Sequence, residues 1–171
     1  MRKLAFALGL AAFVAAATAT ADAGGFGLGA GMVKVKGSDS SNLWLTANVR
    51  WMLSNNLALE PEIGWYRSTP VPGEDDRTNV FNAGGSALFI VPSERANIFA
   101  GLGLGAHVYR SSSGDITSSD TKLGYHGLAG LDIKIAERIT IFGAVRYEII
   151  PLDPVSIKQL KVYGGLRFRT H

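Results

Sequence analysis

The connections between strand-length segments constrain this sequence most, because short turns alternate along it with longer polar loops. Eight segments have the length and pattern of β-strands, roughly 26–36, 43–53, 57–67, 79–91, 97–110, 122–135, 139–150 and 157–168. The even-numbered connections, 54–56, 92–96 and 136–138, are short. The odd-numbered ones, 37–42, 68–78, 111–121 and 151–156, are rich in Gly, Ser, Pro and Asp. A barrel that crosses a membrane has short turns on one side and longer loops on the other, whereas a soluble meander has no reason to sort its loops.

Apolar and polar residues alternate within the segments. In segment 139–150, Ile141 and Val145 share one parity, and Thr140, Arg146 and Glu148 share the other. Period-two alternation means that each strand has two faces in two different environments. A soluble barrel would turn the apolar face inward, and a membrane barrel would turn it toward lipid.

Strand length and charge both favour the membrane arrangement. The segments exceed the soluble mode of about 5–6 residues and suit a tilted membrane crossing. A sealed lumen needs balanced charges, because an unpaired buried ion is costly. The polar faces carry both signs, at Arg50, Glu60, Glu62, Asp132, Lys134, Arg146, Glu148, Lys161 and Arg167. The sequence therefore predicts an all-β fold, an eight-stranded antiparallel up-and-down transmembrane β-barrel.

Aromatic residues near the segment ends predict two interfacial girdles. The girdle on the long-loop side would comprise Trp44, Trp65, Tyr66, Tyr109, Tyr125 and Tyr147, and the girdle on the short-turn side Phe26, Trp51, Phe89, Phe99 and Phe168.

The first 23 residues have the features of a cleavable signal peptide. Arg2 and Lys3 precede an apolar run, and Ala21-Asp22-Ala23 offers a small-x-small cleavage site. We therefore expect a signal peptide at 1–23, a barrel domain at 24–171, and export to the outer membrane of a Gram-negative cell envelope. Removing 1–23 takes two bases and one acid from totals of 17 and 14, leaving 15 and 13, a balance that predicts no nucleic-acid partner. Cysteine is absent, which excludes disulfides and thiol chemistry.

Two details of the glycine and lysine pattern remain open in the sequence. On the first strand, Lys34 and Lys36 continue the parity of Leu28 and Met32. Either a bulge near Met32 shifts the phase, or the strand has left the hydrocarbon by Lys34. Glycines at 25, 27, 29 and 31 and at 101, 103 and 105 lie on one face each, and if they point inward they make room for long lumen side chains.

Two groups of side chains are candidate sites. The predicted polar network of the lumen comprises Arg50, Glu60, Glu62, His107, His126, Asp132, Lys134, Arg146, Glu148 and Lys161. The predicted contacts with lipopolysaccharide phosphates at the outer rim are Lys34, Lys36, Arg67, Arg77, Arg110, Lys122 and Lys158. Acidic residues farther out, at 39, 74, 75, 76, 115, 120 and 153, could add bridges through divalent ions.

The sequence contains few residues that could form a catalytic site. If strands five and six pair symmetrically about 111–121, His107 and His126 fall opposite each other on the lumen face. Barrel deacylases of lipid A place a serine two residues after the catalytic histidine, and Leu128 occupies that position here. The sequence predicts no catalytic residue, no metal and no cofactor.

The stretch Gly127-Leu-Ala-Gly-Leu-Asp-Ile-Lys-Ile-Ala-Glu-Arg-Ile-Thr-Ile-Phe-Gly-Ala-Val-Arg-Tyr147 resembles the hairpins of small OmpA/OmpX-type outer-membrane β-barrels. Together with the leader and the eight segments, the resemblance covers the mature chain. It implies insertion by the barrel-assembly machinery, which usually recognises a terminal aromatic residue; here Arg169-Thr170-His171 follow Phe168.

These observations predict a monomer with a structural or surface-interaction role in the envelope, through contacts with lipid and lipopolysaccharide. The alternatives are a narrow porin-like channel or conduit for small hydrophobic solutes, and a lipid-A-modifying enzyme.

Overall fold

The computed structural model describes residues 24–38, 40–68, 77–113, 116–152 and 154–169. They form one closed antiparallel barrel in which each strand pairs with its neighbours in sequence and β1 pairs with β8. The strands are β1 (Gly25–Val35), β2 (Ser41–Met52), β3 (Leu57–Ser68), β4 (Arg77–Val91), β5 (Ala96–Ser113), β6 (Ile116–Lys134), β7 (Ile139–Pro151) and β8 (Ser156–Arg169). The predicted eight-stranded up-and-down barrel is confirmed. Among the described residues, no helix has the length and apolar character needed to span a bilayer.

The two faces of the wall have the inverted arrangement expected in lipid. Large apolar side chains point outward and are exposed, with Leu102 at 75% and Leu104 at 71% exposure. Charged side chains such as Arg146 and Glu148 point inward and are buried. Because a lipid-facing wall must be apolar, this distribution agrees with membrane embedding.

The first strand runs without a bulge. Its register with β2 is continuous from Gly25 to Lys34, and its register with β8 from Gly25 to Val35. Val33 is fully buried in the lumen, while Lys34 is exposed on the face of Met32. The apolar stretch of the outer surface therefore ends at Lys34, as the second of the two sequence-based alternatives requires. Gly37, with φ of 89°, then reverses the chain.

The fifth connection is much shorter than the sequence predicts. Pairing of β5 with β6 continues to Ser113 and Ile116, so most of the predicted loop 111–121 is strand. The amphipathic period is absent because residues 118–121 lie beyond the β6–β7 pairing, which begins at Tyr125–Ile149, and they are exposed on both parities. The prediction that His107 and His126 lie opposite each other is therefore wrong. His107 lies opposite Lys122, and His126 lies opposite Gly103.

Several aromatic residues assigned to the girdles instead fill the lumen. Trp44, Tyr66 and Phe99 are at most 2% exposed and belong to the buried core cluster, against which Tyr109 packs. Inward glycines make this packing feasible, since a Cβ on Gly64 would lie 2.0 Å from the Trp44 ring. Trp65, Tyr125, Tyr147, Phe89 and Phe168 do lie on the outward parity.

We predict that arginine on the outward face is most costly at mid-strand. Leu102→Arg places a cation near the bilayer midplane and should destabilise the barrel by about 2–4 kcal/mol. Trp65→Arg, one outward position before Arg67, should cost no more than about 1 kcal/mol, because its guanidinium reaches phosphate. Reversible unfolding in lipid vesicles measures both. Equal costs at the two depths would contradict the membrane embedding.

Candidate functional site

The lumen holds a stack of ion pairs, and the layer nearest the short turns is a closed ring of four charges. Arg50 bonds Glu60 at 2.6 Å and Asp132 at 2.5 Å. Arg167 donates to Asp132 at 2.6 Å and to Glu60 at 3.0 Å. Each arginine therefore contacts both carboxylates. The ring is neutral, and it connects β2, β3, β6 and β8.

Aromatic rings support the two guanidinium groups of this layer. The Arg50 guanidinium lies 4.4 Å from the centroid of Phe99, and that of Arg167 lies 4.8 Å from Phe142. Cation–π contact of this kind is strongest where water is excluded, and all four side chains are at least 95% buried.

The middle layer is one bidentate pair that crosses the lumen. Arg146 of β7 donates to both carboxylate oxygens of Glu62 on β3, at 2.5 and 2.8 Å. A third bond, at 3.2 Å, reaches the Tyr163 hydroxyl. This planar fork geometry is the strongest form of the arginine–carboxylate pair, and here it joins nearly opposite walls.

The upper layer centres on Glu148. Lys161 contacts one of its carboxylate oxygens at 2.7 Å, and His107 contacts the other at 3.1 Å. The Lys161 ammonium also lies 4.0 Å from the centroid of Trp44. Farther out, the Tyr66 hydroxyl bonds Gln159 across the barrel at 3.4 Å. The Lys161–Glu148 pair of this layer has no net charge.

Ser86, His126 and Glu148 have the residue types of a hydrolytic triad, but not its geometry. Ser86 Oγ lies 2.8 Å from His126 Nε2, which is a hydrogen bond. His126 Nδ1 lies 3.7 Å from Glu148, beyond the distance at which the carboxylate would orient the ring. Ser86 is 4% exposed, which does not suit a nucleophile that must meet a lipid substrate. The arrangement belongs to the packed lumen.

The ten side chains predicted for the polar network of the lumen differ in burial. Nine of the ten are buried, and Lys134 is the exception, exposed at the lumen mouth on the short-turn side. Its parity is inward, but it is the last residue of β6, so its side chain reaches water.

The network also contains residues outside the predicted set. Arg167 completes the ring of four charges nearest the short turns. Asn48, Gln159, Tyr163 and Ser86 also join the network, and parity alone could have identified them as inward-facing.

The rim candidates separate into three sets. Lys34, Lys36, Arg67 and Arg110 are exposed at the long-loop end, and Lys158 is partly exposed beside Lys36, whose N–H donates to the Lys158 carbonyl at 2.8 Å. Lys122 lies on the inward parity, opposite His107, and pairs with Asp120 at 2.8 Å, so its contact with lipopolysaccharide phosphate stays a prediction. This hydrogen bond from Lys122 lowers the pKa of the Asp120 carboxyl. The side chain of Arg77 and the acids at 39, 74, 75, 76, 115 and 153 lie outside the described residues.

A closed eight-stranded wall that is apolar outside and ionic inside defines a transmembrane β-barrel of the outer-membrane type. The family model of the outer membrane protein beta-barrel domain matches residues 4–168, and the chain belongs to this family. It is an outer-membrane protein.

Solved structures share the fold at low sequence identity. Neisserial surface protein A superposes with a TM-score of 0.71 at 13% identity, covering 86% of this chain and 96% of that one. Ail of Yersinia pestis gives 0.55 at 20% identity, covering 85% and 97%. The N-terminal barrel of Pseudomonas aeruginosa OprF gives 0.56 at 11%, covering 83% and 96%. No curated protein sequence matches the chain.

We predict that the middle layer is a large local contributor to stability. Arg146→Leu leaves Glu62 charged and unpaired in the lumen and should cost about 3–5 kcal/mol. The double variant Arg146→Leu/Glu62→Leu should recover much of this loss, because both charges are gone. Arg110→Leu, at the exposed rim, should cost under about 1 kcal/mol. Urea titration of the folded fraction in lipid vesicles measures all three, and a negligible shift for Arg146→Leu would mean that the lumen is not enclosed.

Proposed function

We propose that this protein is a rigid, monomeric barrel without chemistry of its own, whose outer surface contacts lipopolysaccharide and so strengthens the envelope. The observation that supports the proposal most is that cations border the apolar outer face at its long-loop end. On four strands, the outward apolar residues are followed toward the long loops by a cation on the same parity: Lys34 on β1, Arg67 on β3, Arg110 on β5 and Lys158 on β8.

Cations at this height suit the phosphates of the outer leaflet. Lysine and arginine near an anionic membrane surface contribute about 1 kcal/mol each. On one side of the barrel, Arg67 and Arg110 flank Asn79 in the hydrogen-bonded rows of β3, β4 and β5, and Arg67 Nε donates to Asn79 at 3.3 Å. The flanking positions give two guanidinium groups that a single phosphate layer can contact.

On the other side, Lys36 and Lys158 line a surface pocket of about 490 Å³ with Pro151, Pro154 and Val155. Two ammonium groups beside apolar side chains fit a phosphorylated headgroup whose acyl chains continue down the wall. Ail has been crystallised with the heparin analogue sucrose octasulfate, so a barrel of this fold binds a polyanion. That similarity supports an anionic ligand for the outer rim here.

We predict that lipopolysaccharide stabilises the barrel through these lysines. Thermal unfolding in vesicles with and without lipopolysaccharide should show a higher midpoint in its presence. Lys34→Gln/Lys36→Gln/Lys158→Gln should lose most of the increase, about 1 kcal/mol per cation. The matched control, Arg95→Gln/Lys134→Gln/Arg169→Gln, removes three cations from the opposite end and should retain it. An unchanged increase in the first variant would refute lipopolysaccharide contact through Lys34, Lys36 and Lys158.

A narrow channel is the second candidate function, and the ion pairs across the lumen argue against it. Arg146–Glu62 and Arg50–Asp132 connect facing strands at two heights. We therefore expect the refolded protein to give no discrete current steps in a planar bilayer. Reproducible steps from the unmodified barrel would refute a filled lumen.

A further inference from the structure

The lumen opens toward the periplasm into a small polar pocket that the proposed function does not use. It has a volume of about 210 Å³ and lies between the turn after β4 and the ends of β6, β7 and β8. Its lining includes Arg95, Asn97, Asp132, Lys134, Thr140 and Arg169. This volume is below the range of about 300–1,000 Å³ for sites of drug-sized ligands, so it suits a small group.

The pocket carries an excess of positive charge. In the part of the chain that the structure describes, Arg95, Lys134 and Arg169 form no ion pair, since every pair present involves other cations. Asp132 does not neutralise them, because it is already bonded to Arg50 and Arg167. One other acid, Glu94, lies in the exposed turn. Three cations thus face one available carboxylate.

The neutral members of the lining add donors. The Thr140 hydroxyl is buried, at 2% residue exposure, and has no hydrogen-bond partner among the described residues. Asn97 uses its amide oxygen to accept the Ser93 N–H at 3.1 Å, which leaves the NH₂ group for a ligand. A buried polar group without a partner is costly, so an acceptor in this pocket would relieve the penalty at Thr140.

We propose that this pocket binds the carboxylate of a short acidic peptide in the periplasm. Guanidinium, ammonium, hydroxyl and amide donors around a small space are complementary to an oxyanion. Lys134, Thr140 and Arg169 lie on the inward parity, so the wall of the barrel separates them from the bilayer. A free carboxylate reaches this position along the barrel axis, whereas the phosphate of a lipid headgroup would have to leave its leaflet.

The test is a titration of the folded, isotope-labelled barrel in nanodiscs of zwitterionic lipid, followed by NMR. Triglutamate should bind saturably at low salt and shift the amide signals of Lys134, Thr140 and Arg169. Triglutamine is the uncharged control peptide and should not bind. Glycerol 3-phosphate represents a lipid headgroup and should bind more weakly than triglutamate.

The variants assign the binding to the pocket. Lys134→Gln/Arg169→Gln should weaken triglutamate binding by about tenfold or more, as expected for lost charge-assisted hydrogen bonds. Arg95→Gln, in an exposed turn, and Thr140→Val should each weaken it without preventing folding. Lys34→Gln/Lys36→Gln removes the same charge from the opposite end and should leave binding unchanged.

Three results would overturn the proposal. Absence of saturable binding would mean that the pocket holds no ligand of this class. An equal loss in the Lys34→Gln/Lys36→Gln control would mean general attraction to a basic protein. Tighter binding of glycerol 3-phosphate would assign the pocket to lipid phosphate and not to peptide carboxylate.

Discussion

The pairing of β1 with β8 is the constraint on which the rest of the structure depends. It runs without interruption from Gly25–Arg169 to Val35–Gln159, so no strand edge is left facing hydrocarbon. Closure also creates an interior that is sealed by the wall, and every charge inside it must find a partner there. The lumen meets this requirement layer by layer: a neutral ring of four, a bidentate pair, and Glu148 with Lys161.

Because paired charges fill the lumen, the surfaces available for binding are the two ends and the outer face of the barrel. The ion pairs connect strands that are far apart in the sheet, such as β3 with β7 and β2 with β6, and they fill the interior. A barrel built this way is suited to holding a fixed surface in the membrane. The cations that continue the apolar face at Lys34, Arg67, Arg110 and Lys158 are the groups that we propose contact lipid phosphate.

The sequence was sufficient for the fold and most of the lumen, because alternation and loop parity are local signals. Prediction from the sequence was less reliable where the position of a residue along its strand and its parity indicated different environments. The position of Trp44 near a strand end predicts a girdle residue, whereas its parity with Arg50 predicts the lumen, and parity decides because it is geometric. The pairing of His107 could not be predicted, since the register of β5 with β6 depends on where the hairpin reverses and a hydrophilic hairpin carries no apolar period. Ion-pair partners such as Arg50 and Asp132, which are 82 residues apart, could not be predicted from the sequence.

The most direct test of the account is the environment of single spin labels along one outward face. The chain has no cysteine, so labels can be placed at Ile98, Leu102 and Val108 of β5 without background. Collisional relaxation by oxygen, which concentrates in hydrocarbon, should be greatest at Leu102 and lower at both other positions. Relaxation by a water-soluble nickel complex should follow the opposite order. If the nickel complex were most effective at Leu102, the apolar face would be in water, and the membrane-embedded barrel with an ionic lumen would be contradicted.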